Sequence, residues 1–86
     1  MKHFVVFLPM LDEAKSAAYR PEHLAYLEAQ RGQGRIFASG RFTDGAGGMV
    51  VYKAESLEEA TAWAENDPYV LHGARRYEIH EWDMVQ

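Results

Sequence analysis

The 86-residue chain has no cysteine, which excludes both a disulfide framework and a thiolate zinc site as sources of stability. Cations are the minority charge: nine Lys and Arg stand against thirteen Asp and Glu, for a formal charge of −4. They are scattered, so no basic stripe is available to neutralise phosphates, and no nucleic-acid partner is expected. Long apolar runs are missing too. The opening run Phe4–Leu8 is too short to span a membrane and lacks the apolar length and small-residue cleavage site of a secretory signal. With no export signal the expected compartment is the cytoplasm, and the sequence is compatible with a bacterial cytosolic protein. There is no internal repeat, low-complexity tract or linker, and residues 1–86 are expected to form a single domain.

What the chain does have is apolar material. Hydrophobic residues make up 48% and aromatics 13% of it. A domain this small buries little more than half of the surface its unfolded chain exposes. The apolar surplus therefore points to self-association.

Phe4-Val5-Val6-Phe7-Leu8 is apolar on both alternating faces and stops at Pro9, the pattern of a central strand covered on both sides. From Leu11 to Gln33 the pattern turns helical, with Leu24 and Leu27 on one face. Pro21 would remove a donor and crowd the preceding turn inside a helix but suits a first helical position. The spacing thus predicts a frayed piece over 12–19 and a firm helix over 21–31. Gly32 and Gly34 end it, a strand over 35–42 and a glycine-rich turn follow, and residues 48–54 return as an antiparallel strand.

Ser56-Leu57-Glu58-Glu59 reads as a capping box for a second helix that packs through Ala60, Trp63 and Ala64 and stops at Asp67-Pro68. A last strand is expected from Arg75 to about Met84. The order strand, helix, strand, strand, helix, strand predicts an α+β ferredoxin-like plait: a four-stranded antiparallel sheet, strands one and three central, both helices on one face. The bare face should bury itself against a second copy of the chain, giving a homodimer.

Several residues have a chemical reading beside a plainer one. His23 lies about 40° from Leu27 and about 100° from Leu24 by helical rotation, at the boundary of the apolar stripe. There it is either a proton-transfer group looking into a cleft or a half-buried surface histidine. Asp67 sits at a helix C-terminus, where the macrodipole disfavours a carboxylate. It either caps a turn beginning at Pro68 or partners an imidazole, and the two roles are compatible. Ser39-Gly40-Arg41 interrupts a strand with a glycine, which marks a bulge, a close approach by a ligand or simply a weak sheet edge.

Residues 45–48 have no following helix to present amides to a phosphate. His3, His72 and His80 lack the spacing of a metal site, so no metal is assigned. Trp63, Trp82 and the tyrosines read as core or interface rather than a cofactor box. With no dinucleotide fingerprint or nucleophile elbow either, no cofactor is expected.

Arg20-Pro21-Glu22-His23-Leu24-Ala25-Tyr26-Leu27, Ala38-Ser39-Gly40-Arg41-Phe42, Ser56-Leu57-Glu58-Glu59-Ala60 and Asn66-Asp67-Pro68-Tyr69 together resemble the YciI-like, or YCII-related, proteins over nearly the whole chain. The resemblance implies a dimeric α+β barrel and a pocket with a His and an Asp engaged in acid–base chemistry, which map onto His23 and Asp67. The family usually has Gly-Pro where this chain has Gly40-Arg41, a departure that sets a cation beside the pocket.

The reading that results is an enzyme working on a small anionic or aromatic molecule by proton transfer or elimination, as a lyase or isomerase would, without a cofactor. His23 would move the proton and Asp67 would hold its tautomer, while Arg20, Ser39, Gly40 and Arg41 bind the substrate. The alternatives are a non-catalytic small-ligand-binding or accessory module and a purely structural dimer.

Overall fold

The computed structural model describes residues 1–85. Strand β1 (Lys2–Pro9) buries Phe4, Val6 and Leu8 in the core, and strand alternation turns His3, Val5 and Phe7 to the opposite face. With β2 (Ile36–Arg41), β3 (Gly47–Ala54) and β4 (Glu78–Trp82) it builds an antiparallel sheet of order β2-β3-β1-β4. The two apolar strands are the central pair, in register through Phe4↔Tyr52 and Val6↔Val50. Helix α1 (Glu13–Gly32), helix α2 (Leu57–Glu65) and the single turn α3 (Pro68–Leu71) lie over one face. Leu27, Ala64 and Tyr69, one from each, join a single cluster with Val6, Leu8, Val50 and Tyr52. The fold is the expected ferredoxin-like α+β plait.

Four local expectations are corrected. Pro21 does not divide the first helical segment: α1 runs unbroken through it, with Asp12 as N-cap accepting from the Lys15 amide at 3.0 Å. Proline's fixed φ is helical, and the carbonyl it leaves without a donor, that of Ala17, is on the exposed side where water serves it. The buried face of α1 is also rotated. His23 and Leu27 point inward, while Leu24 is 49% exposed.

The sheet-edge reading of Gly40 holds, since β2 is an edge strand, but the bulge reading does not: the irregularity falls between Ile36 and Ala38, and an added Cβ at Gly40 would find open space. Close approach occurs instead at Gly48, whose Cβ would stand 2.8 Å from the Gly40 carbonyl oxygen. Finally, β4 begins at Glu78, because Arg75 leaves the expected strand to form an isolated bridge with Met10.

The capping box at α2 holds with one shift. The Ser56 Oγ accepts from the Glu59 amide at 3.2 Å, but the Glu59 carboxylate reaches back to the Glu55 amide, at 3.0 Å.

On the helix-free face, Phe7 lies near Phe42 and His80, with ring centroids at 6.4 and 6.5 Å, and Phe37 and His3 pack edge to face. Val5 and Val51 beneath them are buried, whereas Phe37 and Trp82 stay open. Among the described residues no helix is long and apolar enough to cross a membrane.

Candidate functional site

Helix α1 and the turn after α2 meet at one buried contact. The Nδ1 of His23 lies 2.8 and 2.9 Å from the two carboxylate oxygens of Asp67. His23 is 8% exposed and Asp67 1%. The sequence puts His23 at a solvent boundary; in the fold the rotation of α1 turns it inward.

Asp67 holds its place because it is also the N-cap of α3, accepting from the Tyr69 amide at 3.0 Å. Its structural and chemical readings are therefore both realised at one carboxylate. Pro68 follows at the first helical position, where its missing amide hydrogen is not needed. The Tyr69 ring then stacks on the imidazole, centroids 3.9 Å apart and planes 15° from parallel.

A carboxylate can only accept, so Nδ1 must carry the hydrogen in the neutral imidazole. Nε2 is left as the free lone pair. It has no hydrogen-bond partner among the described residues and is not a buried unsatisfied atom. The ring lines a cavity of about 210 Å³. Asp67 stands behind it, off the cavity wall. This is the arrangement in which a carboxylate orients a histidine and stabilises the imidazolium formed when Nε2 takes a proton.

Arg20, Ser39, Gly40 and Arg41 all lie on the wall of the same cavity. They reach it from two elements, Arg20 one turn before His23 on α1 and the others from the end of β2. The Ser39 hydroxyl is partly engaged, accepting from Arg31 at 2.8 Å. Leu24 and Leu27 form the apolar side, so the half-exposed Leu24 belongs to the cavity rather than to the core.

Tyr69 and Arg75, wall residues able to contact a ligand through polar groups, escaped the sequence reading. Tyr69 was visible only as part of the Asp-Pro-Tyr run. Arg75 read as the first residue of a strand, yet the residue is only 7% exposed and its guanidinium sits 4.4 Å over the Tyr69 ring. No spacing signal announces it, because it is brought in by the turn after α3 from 52 positions beyond His23.

A second polar knot lies beside the site. Tyr26 donates to the Trp63 carbonyl at 2.7 Å, and Arg35 lies 4.5 Å over the Trp63 ring. Burial, reinforced by the negative charge of Asp67 and opposed by Arg35, pushes the Tyr26 hydroxyl up to about 12. Burial raises the Tyr52 hydroxyl further, and that hydroxyl has no partner among the described residues. Among these residues no group of three or more His, Asp or Glu side chains is placed to hold a metal ion.

Fold and site together define a small ferredoxin-like α+β domain carrying a His–Asp pair at the wall of a cavity. The sequence matches the YCII-related domain over residues 2–83, and the chain belongs to that family. It is 32% identical over 79 residues to the uncharacterized protein YjpA of Bacillus subtilis, covering 92% of this chain and 93% of that one. It is 39% identical over 69 residues to the protein YciI of Escherichia coli, covering 69% and 70%. Among solved structures it resembles the 5-chloro-2-hydroxyhydroquinone dehydrochlorinase TftG of Burkholderia phenoliruptrix, in complex with 2,5-dihydroxybenzoquinone. That match has a TM-score of 0.81 over 96% of this chain and 95% of the other at 22% identity, a likeness of fold.

Proposed function

We propose that the protein is an enzyme that moves a proton on a small organic molecule, as a lyase or isomerase, with His23 as the acid–base group, Asp67 as its orienting partner and no cofactor. The observation that carries this reading is the buried Nδ1–carboxylate contact at 2.8 Å on a histidine that lines a cavity and whose Nε2 has no partner among the described residues. In an elimination, Nε2 takes a proton from carbon, the C–H electron pair becomes the new double bond, and the leaving group departs with its own bonding pair. In an isomerisation, the imidazolium returns the proton at a second carbon. Asp67 stays ionised in both, stabilising the charge that appears on the ring. TftG, of the same fold, is named a dehydrochlorinase, and loss of hydrogen and chloride is one reaction of this class.

The dimeric barrel belongs to the same proposal. A second copy is its natural occupant on the helix-free face, because that face carries the aromatic rings of Phe7, Phe37 and Phe42 and exposed apolar surface at Phe37 and Trp82. We propose a bacterial cytoplasmic protein, in keeping with its bacterial relatives.

The test is solvent exchange. Wild type and His23→Asn are incubated in deuterated buffer with activated carbon acids, 5-chloro-2-hydroxyhydroquinone among them, and followed by NMR for deuterium uptake and for chloride release. Wild type should turn over at least one compound and His23→Asn should lose that activity. Equal rates in the two proteins sink the acid–base role. Binding without turnover of any compound favours a ligand-holding module instead.

A further inference from the structure

A buried charge normally has a counter-ion, since removing it from water is costly and only a partner offsets the loss. Arg75 does not follow the rule. Its Nε and Nη2 donate to the Ser16 Oγ at 3.2 and 2.9 Å, and its Nη1 donates to the Leu8 carbonyl at 3.2 Å. Both acceptors are neutral. Among the described residues Arg75 is in no salt bridge. Its remaining N–H groups on Nη1 and Nη2 meet no acceptor there, and the guanidinium lines the cavity on which His23 lies.

Two more guanidinium groups share that wall. Arg20 and Arg41 form neither an ion pair nor a side-chain hydrogen bond among the described residues, and with Arg75 and Tyr69 they also line an adjoining hollow of about 330 Å³. The acids nearby do not neutralise them. Asp67 is behind the imidazole, and Glu13, on the rim of the adjoining hollow, pairs with none of the three. So a chain whose formal charge is −4 lines the His23 cavity with three arginines and, among the described residues, no carboxylate, an arrangement that focuses a positive potential there. The same wall also carries an apolar patch of Leu8, Leu24, Leu27 and Val50.

We propose that this cavity takes a small organic carboxylate, with its anionic group on Arg75, Arg20 and Arg41 and its apolar body against Leu24, Leu27 and Val50. The planar fork of a guanidinium matches a carboxylate in two parallel hydrogen bonds, which a neutral isostere cannot reproduce. A cavity of about 150 Å³ takes one benzene ring, so about 210 Å³ accommodates a ring or short chain with one substituent. That the bound molecule also presents a carbon to His23 Nε2 rests on the acid–base reading above. The anion preference does not.

The test is a binding titration of the full chain at constant ionic strength, using benzoate, its neutral isostere benzamide and inorganic phosphate, followed by ¹H–¹⁵N NMR. Benzoate should bind at least about tenfold more tightly than benzamide, a difference of one decade in Kd, and should move the Arg75 Nε–H signal and the Ser39 and Gly48 amides. Arg41→Gln, on an exposed side chain, should cut the preference severalfold. Arg75→Met should abolish it, and if that variant does not fold, Arg20→Gln combined with Arg41→Gln takes its place.

Equal affinity for benzoate and benzamide overturns the proposal. So does a lack of benzoate binding at millimolar concentration, displacement of benzoate by equimolar phosphate, or a preference unchanged in Arg41→Gln and its companion variant. None of these readings involves turnover. Loss of the anion preference with proton exchange intact removes only the substrate class, whereas anion binding without exchange removes only the chemistry.

Discussion

His23 is engaged everywhere but on its cavity side. Asp67 holds Nδ1, Tyr69 covers one ring face, and 8% of the residue is exposed. A histidine at a solvent boundary would tolerate truncation, but this one would leave the Asp67 carboxylate buried without its donor. His23→Ala is therefore expected to lose about 1.5–3 kcal/mol of stability, the range for a hydrogen bond to a charged group, as well as activity. His23→Asn places an amide N–H near the former Nδ1 and should recover most of that stability while activity stays lost. Asp67→Asn can still accept from the Tyr69 amide, so α3 should keep its cap. Losing the charge behind the imidazole should lower kcat by about 10²–10⁴-fold. Urea midpoints and turnover measured on all three separate the roles; an His23→Ala protein as stable as wild type would show that the buried contact contributes nothing.

At the scale of elements, Tyr26 is the tie between α1 and the end of α2, through its 2.7 Å bond to the Trp63 carbonyl. Its hydroxyl is raised from 10.0 to about 12, chiefly by burial. The folded protein therefore holds this proton more tightly than the unfolded chain, so its contribution is complete below pH 10 and is lost as pH rises from 10 through about 12. Tyr26→Phe is expected to cost about 1 kcal/mol at neutral pH and to show a shallower fall in stability across that alkaline window. Tyr52 and Tyr77, also raised, leave it some residual slope. Chemical denaturation at neutral and at alkaline pH checks both statements, and an unchanged alkaline slope would refute the assignment to Tyr26.

The element order was legible from alternation and from the breakers at Pro9, Gly32 and Pro68. The continuity of α1 was not, because whether a proline ends a helix depends on what serves the freed carbonyl, and that is decided by exposure. A rotation of the same helix face, with Leu27 kept inside, moved His23 inside and Leu24 to the cavity rim. Local pattern cannot resolve such a rotation when apolar positions are few.

For the whole molecule, the open question of size has a direct test. A second copy on the helix-free face should give a sedimenting species of twice 9.8 kDa at micromolar concentration. Phe7→Lys, at the centre of that face between Phe42 and His80, should convert it to a folded monomer. A wild-type monomer at that concentration would refute the dimer.

The sequence by itself determined the strand and helix order, the central pair β1 and β3, the caps at Ser56 and Asp67 and the family, because each is written in short-range patterns of apolarity, hydrogen-bonding side chains and proline. It also supplied the cavity residues Arg20, Ser39, Gly40 and Arg41 through resemblance and the chemistry of their side chains. The tertiary structure alone decided that Nδ1 of His23 meets Asp67 across 44 positions and that Arg75 arrives on the cavity wall as a buried cation that pairs with no carboxylate among the described residues. Both depend on how a helix is rotated and where a turn returns the chain, and those are fixed by packing between segments distant in sequence, which no local pattern encodes.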